Sequence, residues 1–187
     1  MRSLLSIIML LLCFQLCAQN KVQFQSLNQV GFLKGHGADA LQYQSVNGAR
    51  YKGFSLGIGA GVDYYYFRTV PLFVELKKEV LNKKETPFIF ASLGSSLPWI
   101  KDPAADSWQK SEYSKGSYFE AGIGYKVPFK KRLFMIFSMG YSMKELHETR
   151  YWRMYRDFPP YDMESWSNPE YYDYTFRRIS VRVGLGF

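Results

Sequence analysis

Strict alternation of apolar residues with small or polar ones is the feature that most restricts how this chain can fold. Between 54 and 66, one set of alternate positions reads Phe, Leu, Ile, Ala, Val, Tyr, Tyr, and the other reads Ser, Gly, Gly, Gly, Asp, Tyr. A period of two places these sets on opposite faces of a β-strand. The pattern recurs at 71–80, 118–129, 133–144 and 175–187. Each segment is therefore predicted to be a strand with one oily and one polar face.

Three weaker segments, at 22–34, 40–51 and 86–98, bring the number of predicted strands to eight. Their faces are mixed: Phe88 shares a face with Ser92, so a bulge and a partly apolar interior both stay open. The strands reach or exceed the roughly 9–11 residues that a tilted transmembrane strand needs. An even number of such strands predicts an all-β fold, an eight-stranded antiparallel transmembrane β-barrel.

The connections between the strands fall into two kinds. Residues 50–53, 81–85 and 129–132 are short and basic, whereas 99–116 and 147–173 are long. In outer-membrane barrels the short turns face the periplasm and the longer loops face outside. Counting strands from the amino terminus puts all three basic turns on one side and both long loops on the other.

The amino-terminal segment has the features of a secretory signal peptide. Arg2 precedes a mostly apolar run, and 1–18 ends in Ala18 before polar residues. A membrane anchor is the alternative, but the run is short for a span; lipidation of Cys17 is disfavoured because Leu16 precedes it. The predicted division is a signal peptide at 1–18 and a barrel domain at 19–187, which contains no cysteine.

Charges of both signs lie on the polar faces of the strands. A mean hydropathy of −0.23 is too polar for a helical membrane protein. The interior of an eight-stranded barrel is narrow enough for side chains to fill, and charges buried there must be paired. We therefore expect a barrel-interior charge network, with Asp63, Glu75 and Glu120 facing Lys126, Arg178 and Arg182. The alternative is a soluble lipocalin-like barrel with its apolar face inward. The predicted network comprises Asp63, Glu75, Lys77, Glu120, Lys126, Arg178 and Arg182.

Several stretches resemble small Gram-negative outer-membrane β-barrel proteins. These are 56–65, 70–76, 122–128 and the final strand 178–187, and they are similar to uncharacterised outer membrane β-barrel domain proteins. The resemblance covers the whole mature chain. It implies export to the outer membrane, contact with outer-membrane lipids, and recognition of the terminal Phe187 by the barrel assembly machinery.

Aromatic residues, 18% of the chain, also suggest interfacial belts near the strand ends. The predicted belts are Tyr64, Tyr66, Trp99, Tyr141 and Tyr174 at one end, and Phe129 and Phe187 at the other.

The histidines are the natural place to look for catalysis. Some small outer-membrane barrels are lipid-modifying enzymes that use His with Ser and an acid, and His147 has Ser142, Glu145 and Glu148 nearby. On a strand, however, His147 and Ser142 point opposite ways. His36 is too distant in sequence to suggest a shared metal site. No catalytic, cofactor-binding or metal-ligating residue is therefore predicted, and we expect no enzyme activity and no cofactor.

The segment 147–174 is the strongest candidate for a contact surface. It holds nine aromatic residues interleaved with arginines, a mixture typical of binding surfaces. The alternative is a loop that packs over the barrel mouth, with β-extensions above the membrane. The formal charge of +8 does not indicate nucleic-acid binding, because the chain carries a secretion signal and no recognition motif. The candidate loop contact surface comprises Tyr151, Trp152, Arg153, Tyr155, Arg156 and Trp166.

Together these features favour a non-enzymatic outer-membrane barrel with a structural or surface-binding role through its outer loops, where an envelope protein or glycan would bind. Three alternatives stay open: an accessory barrel in secretion or envelope assembly, a lipid-modifying enzyme, and a narrow channel.

Overall fold

A computed structural model describes residues 22–35, 39–64, 68–99, 109–130, 132–153 and 166–187. The predicted signal peptide at 1–18 and His36 lie outside these ranges. Every described element is a strand, and each pairs antiparallel with its neighbours. No helix in these ranges is long and apolar enough to cross a membrane. The strands are β1 (Gln23–Gly35), β2 (Ala40–Tyr51), β3 (Phe54–Tyr64), β4 (Arg68–Glu79), β5 (Thr86–Pro98), β6 (Gln109–Ser114), β7 (Gly116–Pro128), β8 (Phe134–Arg153) and β9 (Trp166–Gly186).

The sheet closes on itself, because β1 pairs with β9 as well as with β2. β6 and β7 both pair with β8 and are separated only by Lys115. Ser114 lies opposite His147 whereas Tyr118 lies opposite Lys144, so this side carries one extra residue, a β-bulge. β6 and β7 are thus two parts of one wall strand. The barrel has eight wall strands, which confirms the predicted fold.

The oily faces of the strands point away from the barrel axis. Ile58 and Ile123 are 74% and 65% exposed on the outer wall, whereas Glu120 and Arg182 are 0% and 2% exposed inside it. A soluble barrel of the lipocalin kind would show the reverse. The hydrophobic effect favours this arrangement only where the surroundings of the wall are themselves apolar.

The short turns and the chain ends lie at the same end of the barrel. Between β2 and β3, Lys52 and Gly53 have φ values of 46° and 79°, the positive pair that a two-residue hairpin turn needs. Phe187 exchanges two backbone hydrogen bonds of 3.0 Å with Ser26 near the start of β1. The turn at 80–85 and the described turn residues 129–130 and 132–133 lie at this end too. We call it the turn end, and the opposite end the outer end.

At the outer end, much of the two predicted long loops is strand. β6 occupies 109–114, β8 continues to Arg153, and β9 begins at Trp166. The prediction of loops at 99–116 and 147–173 was wrong for these residues. Strands that are not surrounded by an apolar medium can pair through backbone hydrogen bonds without alternating apolar and polar residues. The alternation therefore ends before the strands do. Residues 100–108 and 154–165 lie outside the described ranges.

Part of the interior is apolar, as the mixed faces of the weaker strands allowed. Glycines on the facing strands make room for the rings: a Cβ on Gly59 would lie 2.4 Å from the Phe73 ring, and one on Gly124 would lie 2.3 Å from Phe88. Other glycines leave room for charged side chains: a Cβ on Gly31 would lie 2.4 Å from the Arg182 side chain, and one on Gly35 would lie 2.8 Å from that of Arg178. The buried cluster is Leu27, Val46, Phe73, Phe88, Phe90, Tyr118, Phe134 and Ile136.

Candidate functional site

A hydrogen-bonded network crosses the middle of the barrel. Glu120 on β7 accepts a hydrogen bond of 3.1 Å from Arg182 on β9, and one of 2.5 Å from Ser180. Tyr118 donates to the same carboxylate at 2.5 Å. Gln44 on β2 accepts from Arg182 and donates to the Tyr118 hydroxyl group at 2.9 Å. Since β2 and β7 lie on opposite sides of the barrel, this central network spans the interior.

Lys144 and Asp63 form a second bridge nearer the outer end. The Lys144 ammonium group on β8 donates to the Asp63 carboxylate on β3, and both side chains are fully buried. Thr69 donates to Asp63 at 2.5 Å and accepts from Lys144 at 3.0 Å. Burying two charges is favourable only when each is fully hydrogen-bonded, and Thr69 supplies the additional contacts.

Nearer the turn end, Glu79 is shared between two cations. It pairs with Arg50 of β2 and, at 2.8 Å, with Lys126 of β7. Lys77 pairs with Glu75 at 3.1 Å. Glu79 is buried, whereas Arg50 and Lys126 are partly exposed toward the turn end.

All seven residues of the predicted interior network lie on the inner face of the wall, but their pairing differs from the expected one. Glu120 does face Arg182. Asp63 pairs with Lys144, and Lys126 with Glu79. The members are Asp63, Glu75, Lys77, Glu120, Lys126, Arg178 and Arg182, with Arg178 also buried.

The predicted network omitted several interior residues, among them Lys144, Glu79, Arg50 and Gln44. Lys144 and Glu79 occupy polar-face positions of their strands, so alternation could have added both. Arg50 and Gln44 lie on a strand whose two faces are mixed, and hydropathy does not separate them from outward-facing polar residues.

The outer ends of β6, β8 and β9 form a three-stranded extension, which we call the outer hairpin. Glu148, buried on its inner side, accepts hydrogen bonds from Tyr174 at 2.7 Å and Arg150 at 3.2 Å. Burial alone would raise the pKa of Glu148, but hydrogen bonds from Ser111, Tyr174 and Arg150 outweigh it and lower that pKa. Burial and the contact with Glu148 raise the pKa of Tyr174 to about 12.

Tyr174 therefore belongs to the inner face, and its assignment to an interfacial belt was wrong. It occupies an even-numbered position of β9, as do the buried Arg178, Ser180 and Arg182. Of the other predicted belt residues, Tyr66 lies outside the described ranges. The remaining ones are exposed on the outer wall: Tyr64, Trp99, Tyr141, Phe129 and Phe187.

Four of the six candidate contact residues lie on strands rather than on a loop. Tyr151 and Trp152 are at least partly exposed near the end of β8. Tyr171 on β9, which the sequence did not single out, is 76% exposed. The Arg150 guanidinium group lies 4.5 Å from the centre of the Tyr172 ring. Arg153 lies at the end of β8 and Trp166 begins β9, whereas Tyr155 and Arg156 lie outside the described ranges.

The residues around His147 are not arranged as a catalytic set. The His147 Nδ1 atom lies 2.5 Å from an Asp173 carboxylate oxygen, and both side chains are exposed on the outer face of the hairpin. Ser142 and Glu148 are buried on the inner face. Within the described ranges, no group of three His, Cys, Asp or Glu residues is placed to hold a metal ion.

Comparison with solved structures places this architecture among known barrels. The crystal structure of the outer membrane protein OprG from Pseudomonas aeruginosa aligns with a TM-score of 0.52, at 8% identity, over 90% of this chain and 97% of that one. The solid-state NMR structure of outer membrane protein AlkL in lipid bilayers aligns with a TM-score of 0.52, at 12% identity, over 90% of each chain. The fold is that of a small outer-membrane β-barrel. No family model and no curated protein matches the sequence.

Proposed function

We propose that this chain is exported to the outer membrane, where it serves as a non-enzymatic structural and binding protein that acts through its outer hairpin. The oily outer wall supports a membrane location, because its large apolar side chains need lipid around them. The short turns and the chain ends would then face the periplasm, and the outer hairpin would face outside.

The filled interior is the observation that carries the structural role. The central network and the Lys144–Asp63 bridge cross the barrel at two places, and the apolar cluster fills space around Phe73 and Phe88. Ions could pass only if these buried groups were separated, which would leave charges without partners at a cost of several kcal/mol. A filled barrel therefore supports a structural role over a channel.

The outer hairpin supports the binding role. Tyr151, Trp152 and Tyr171 are accessible there beside Arg150, and aromatic residues with arginine are enriched at protein interfaces. The backbone of this region is held by pairing between β8 and β9 on both sides of an irregularity between Arg150 and Trp152, and residues held in place bind with a smaller loss of entropy.

Cysteine labelling in intact cells tests the location and the orientation together. The predicted mature chain has no cysteine, so a single new one reports a single position. With a membrane-impermeant maleimide, Tyr171→Cys should be labelled in intact cells, and Lys83→Cys only after the outer membrane is permeabilised. Equal labelling of Lys83→Cys in intact cells would contradict the orientation.

Planar-bilayer recording tests the filled interior. Purified full-length protein should show no steady conductance, whereas a variant with Arg182→Ala and Glu120→Ala should show more frequent openings. A steady open current from the unaltered protein would favour the narrow-channel alternative.

The binding role can be tested with purified lipopolysaccharide as the probe. Replacing Tyr151, Trp152 and Tyr171 together with Ala should weaken co-sedimentation, whereas His147→Ala should not. If the triple variant and the parent sediment alike, the hairpin is not the contact surface for this glycolipid. Unchanged outer-membrane lipids in cells carrying His147→Ala would also remove the only candidate for a lipid-modifying base.

Recognition by the barrel assembly machinery is proposed to involve Phe187, which follows the last residue of β9 and is hydrogen-bonded to Ser26. Phe187→Ala should slow the appearance of folded protein in cells while leaving refolding of the purified chain into detergent unchanged. Equal slowing in both settings would indicate a role in stability instead.

A further inference from the structure

A cavity at the turn end is walled by positive charge. Its volume is about 1030 Å³, at the upper end of the range for small-molecule sites. We call it the basic bowl. The start of β1, the end of β2, two of the short turns and Phe187 surround it. Its six cationic residues are Arg50, Lys83, Lys84, Lys126, Lys130 and Arg132.

Little negative charge balances these cations. No Asp or Glu side chain is among the described residues that line the bowl, and Glu85 of the adjacent turn does not line it. Glu79 contacts the bowl's cations from below, since it pairs with Arg50 and Lys126. Even with Glu79 counted, positive charge remains in large excess.

The floor of the bowl is held in place. Glu79 joins Arg50 to Lys126 across the opening, and the Lys126 ammonium group lies 4.6 Å from the centre of the Phe134 ring, which is buried. The Arg50 side chain is 29% exposed, and its guanidinium group has five N–H donors, more than its contact with Glu79 uses. The four remaining cations lie on the two turns above this floor.

We propose that the basic bowl binds a compact anion that carries two or more phosphate groups. Each phosphate group carries about −1.5 to −2 charges near neutral pH, so two or three would balance the excess. A concave cluster of cations holds such an anion more strongly than a flat surface does, because the charges converge on one volume and its low-dielectric walls concentrate their field. The phosphates could belong to a soluble oligophosphate or to a lipid headgroup, which offer the same chemistry.

This inference rests on the proposed function in one respect: the proposed orientation decides on which side of the membrane the ligand lies. Its test uses purified full-length protein in a zwitterionic detergent and therefore does not depend on orientation. Binding of tripolyphosphate is measured by calorimetry and compared with binding of orthophosphate. The test variant replaces Lys83, Lys84, Lys130 and Arg132 with Gln. The control variant replaces Lys34 and Lys110, on the outer half of the barrel, in the same way.

Tripolyphosphate should bind the parent protein at least about tenfold more tightly than orthophosphate, a difference of about 1.4 kcal/mol. The four-residue variant should lose at least about tenfold in affinity, and the control variant should match the parent. Equal affinity for the two anions would overturn the proposal, as would an equal loss in both variants. Retention of the slow-migrating folded form on unheated gels shows that the variants are folded.

Nanodiscs distinguish the two sources of phosphate. Protein is placed in phosphatidylcholine discs with and without cardiolipin, whose headgroup carries two phosphate groups, and the lipid phosphorus signal is followed by NMR. Broadening of the cardiolipin signal by the parent, but not by the four-residue variant, identifies a lipid headgroup. If neither the parent nor the variant broadens the lipid signal, but the parent still binds tripolyphosphate, the ligand is a soluble one. Absence of both responses overturns the proposal.

Discussion

Lys144 on β8 and Asp63 on β3 form an ion pair between opposite walls of the barrel, with three wall strands separating them in either direction around the sheet. No backbone hydrogen bond joins these two strands. The pair therefore connects parts of the sheet that are otherwise linked only around the circumference.

Removing one partner of this pair should destabilise the barrel strongly. Lys144→Met keeps the length of the side chain but leaves Asp63 buried without its cation, and we expect a loss of about 3–5 kcal/mol in the free energy of unfolding. Combining Lys144→Met with Asp63→Asn should recover most of the loss, because no buried charge then lacks a partner. Urea titration of protein folded in lipid vesicles measures both. A double variant no more stable than the single one would contradict this role.

A charged residue on the outer wall should destabilise the folded barrel. Ile58, at the middle of β3, is 74% exposed on the outer wall. Ile58→Arg should cost about 2–4 kcal/mol if this position lies near the bilayer midplane. The matched control, Tyr171→Arg on the outer hairpin, should cost far less. Folding yield into vesicles measures the difference, and equal yields would show that lipid does not cover Ile58.

The interior should not tolerate a larger residue at Gly124. An added Cβ would lie 2.3 Å from the Phe88 ring and 2.6 Å from the backbone oxygen atom of Phe137. Gly124→Ala should therefore cost about 1–3 kcal/mol, the usual range for overpacking. Adding Phe88→Leu to the Gly124→Ala variant should recover the part of the lost stability that is due to the clash with the Phe88 ring. Ala60→Val on the outer wall is the control, and equal destabilisation there would refute a packing origin.

The outer hairpin should loosen in acid. Because the pKa of Glu148 is lowered in the folded protein, its contribution to stability is complete above the ordinary glutamate pKa of 4.5 and is lost as the pH falls through the lowered value. The pH dependence of Tyr174 runs in the opposite direction, because its pKa is raised. Its contribution to stability is complete below pH 10 and is lost as the pH rises through about 12. Hydrogen exchange of β8 and β9 amides across this range measures both.

Glu148→Gln provides the control for the acid response. It removes the titrating carboxylate, so acid protection factors in the hairpin should no longer depend on this group. An acid response of unchanged size in Glu148→Gln would show that Glu148 is not the group responsible.

The alternation of residues determined the strands, their faces and the transmembrane barrel. Side-chain direction in a strand follows from sequence position alone, and the separation of oily from polar residues follows from the hydrophobic effect, so both can be predicted locally. The bulge at Lys115 was not predicted, and the strand extensions at the outer end were considered only as an alternative to a loop, because hydropathy no longer follows backbone pairing there.

Only the closed tertiary structure decided which interior groups meet. Gln44 and Arg182 are 138 positions apart and lie on strands that are not neighbours in the sheet. Contacts across a barrel depend on its shear, the total shift in register between neighbouring strands around the circumference. The shear cannot be read from the sequence of any single strand. The same closure gathers Arg50, Lys83 and Arg132 into one basic bowl, although in the sequence they belong to separate segments.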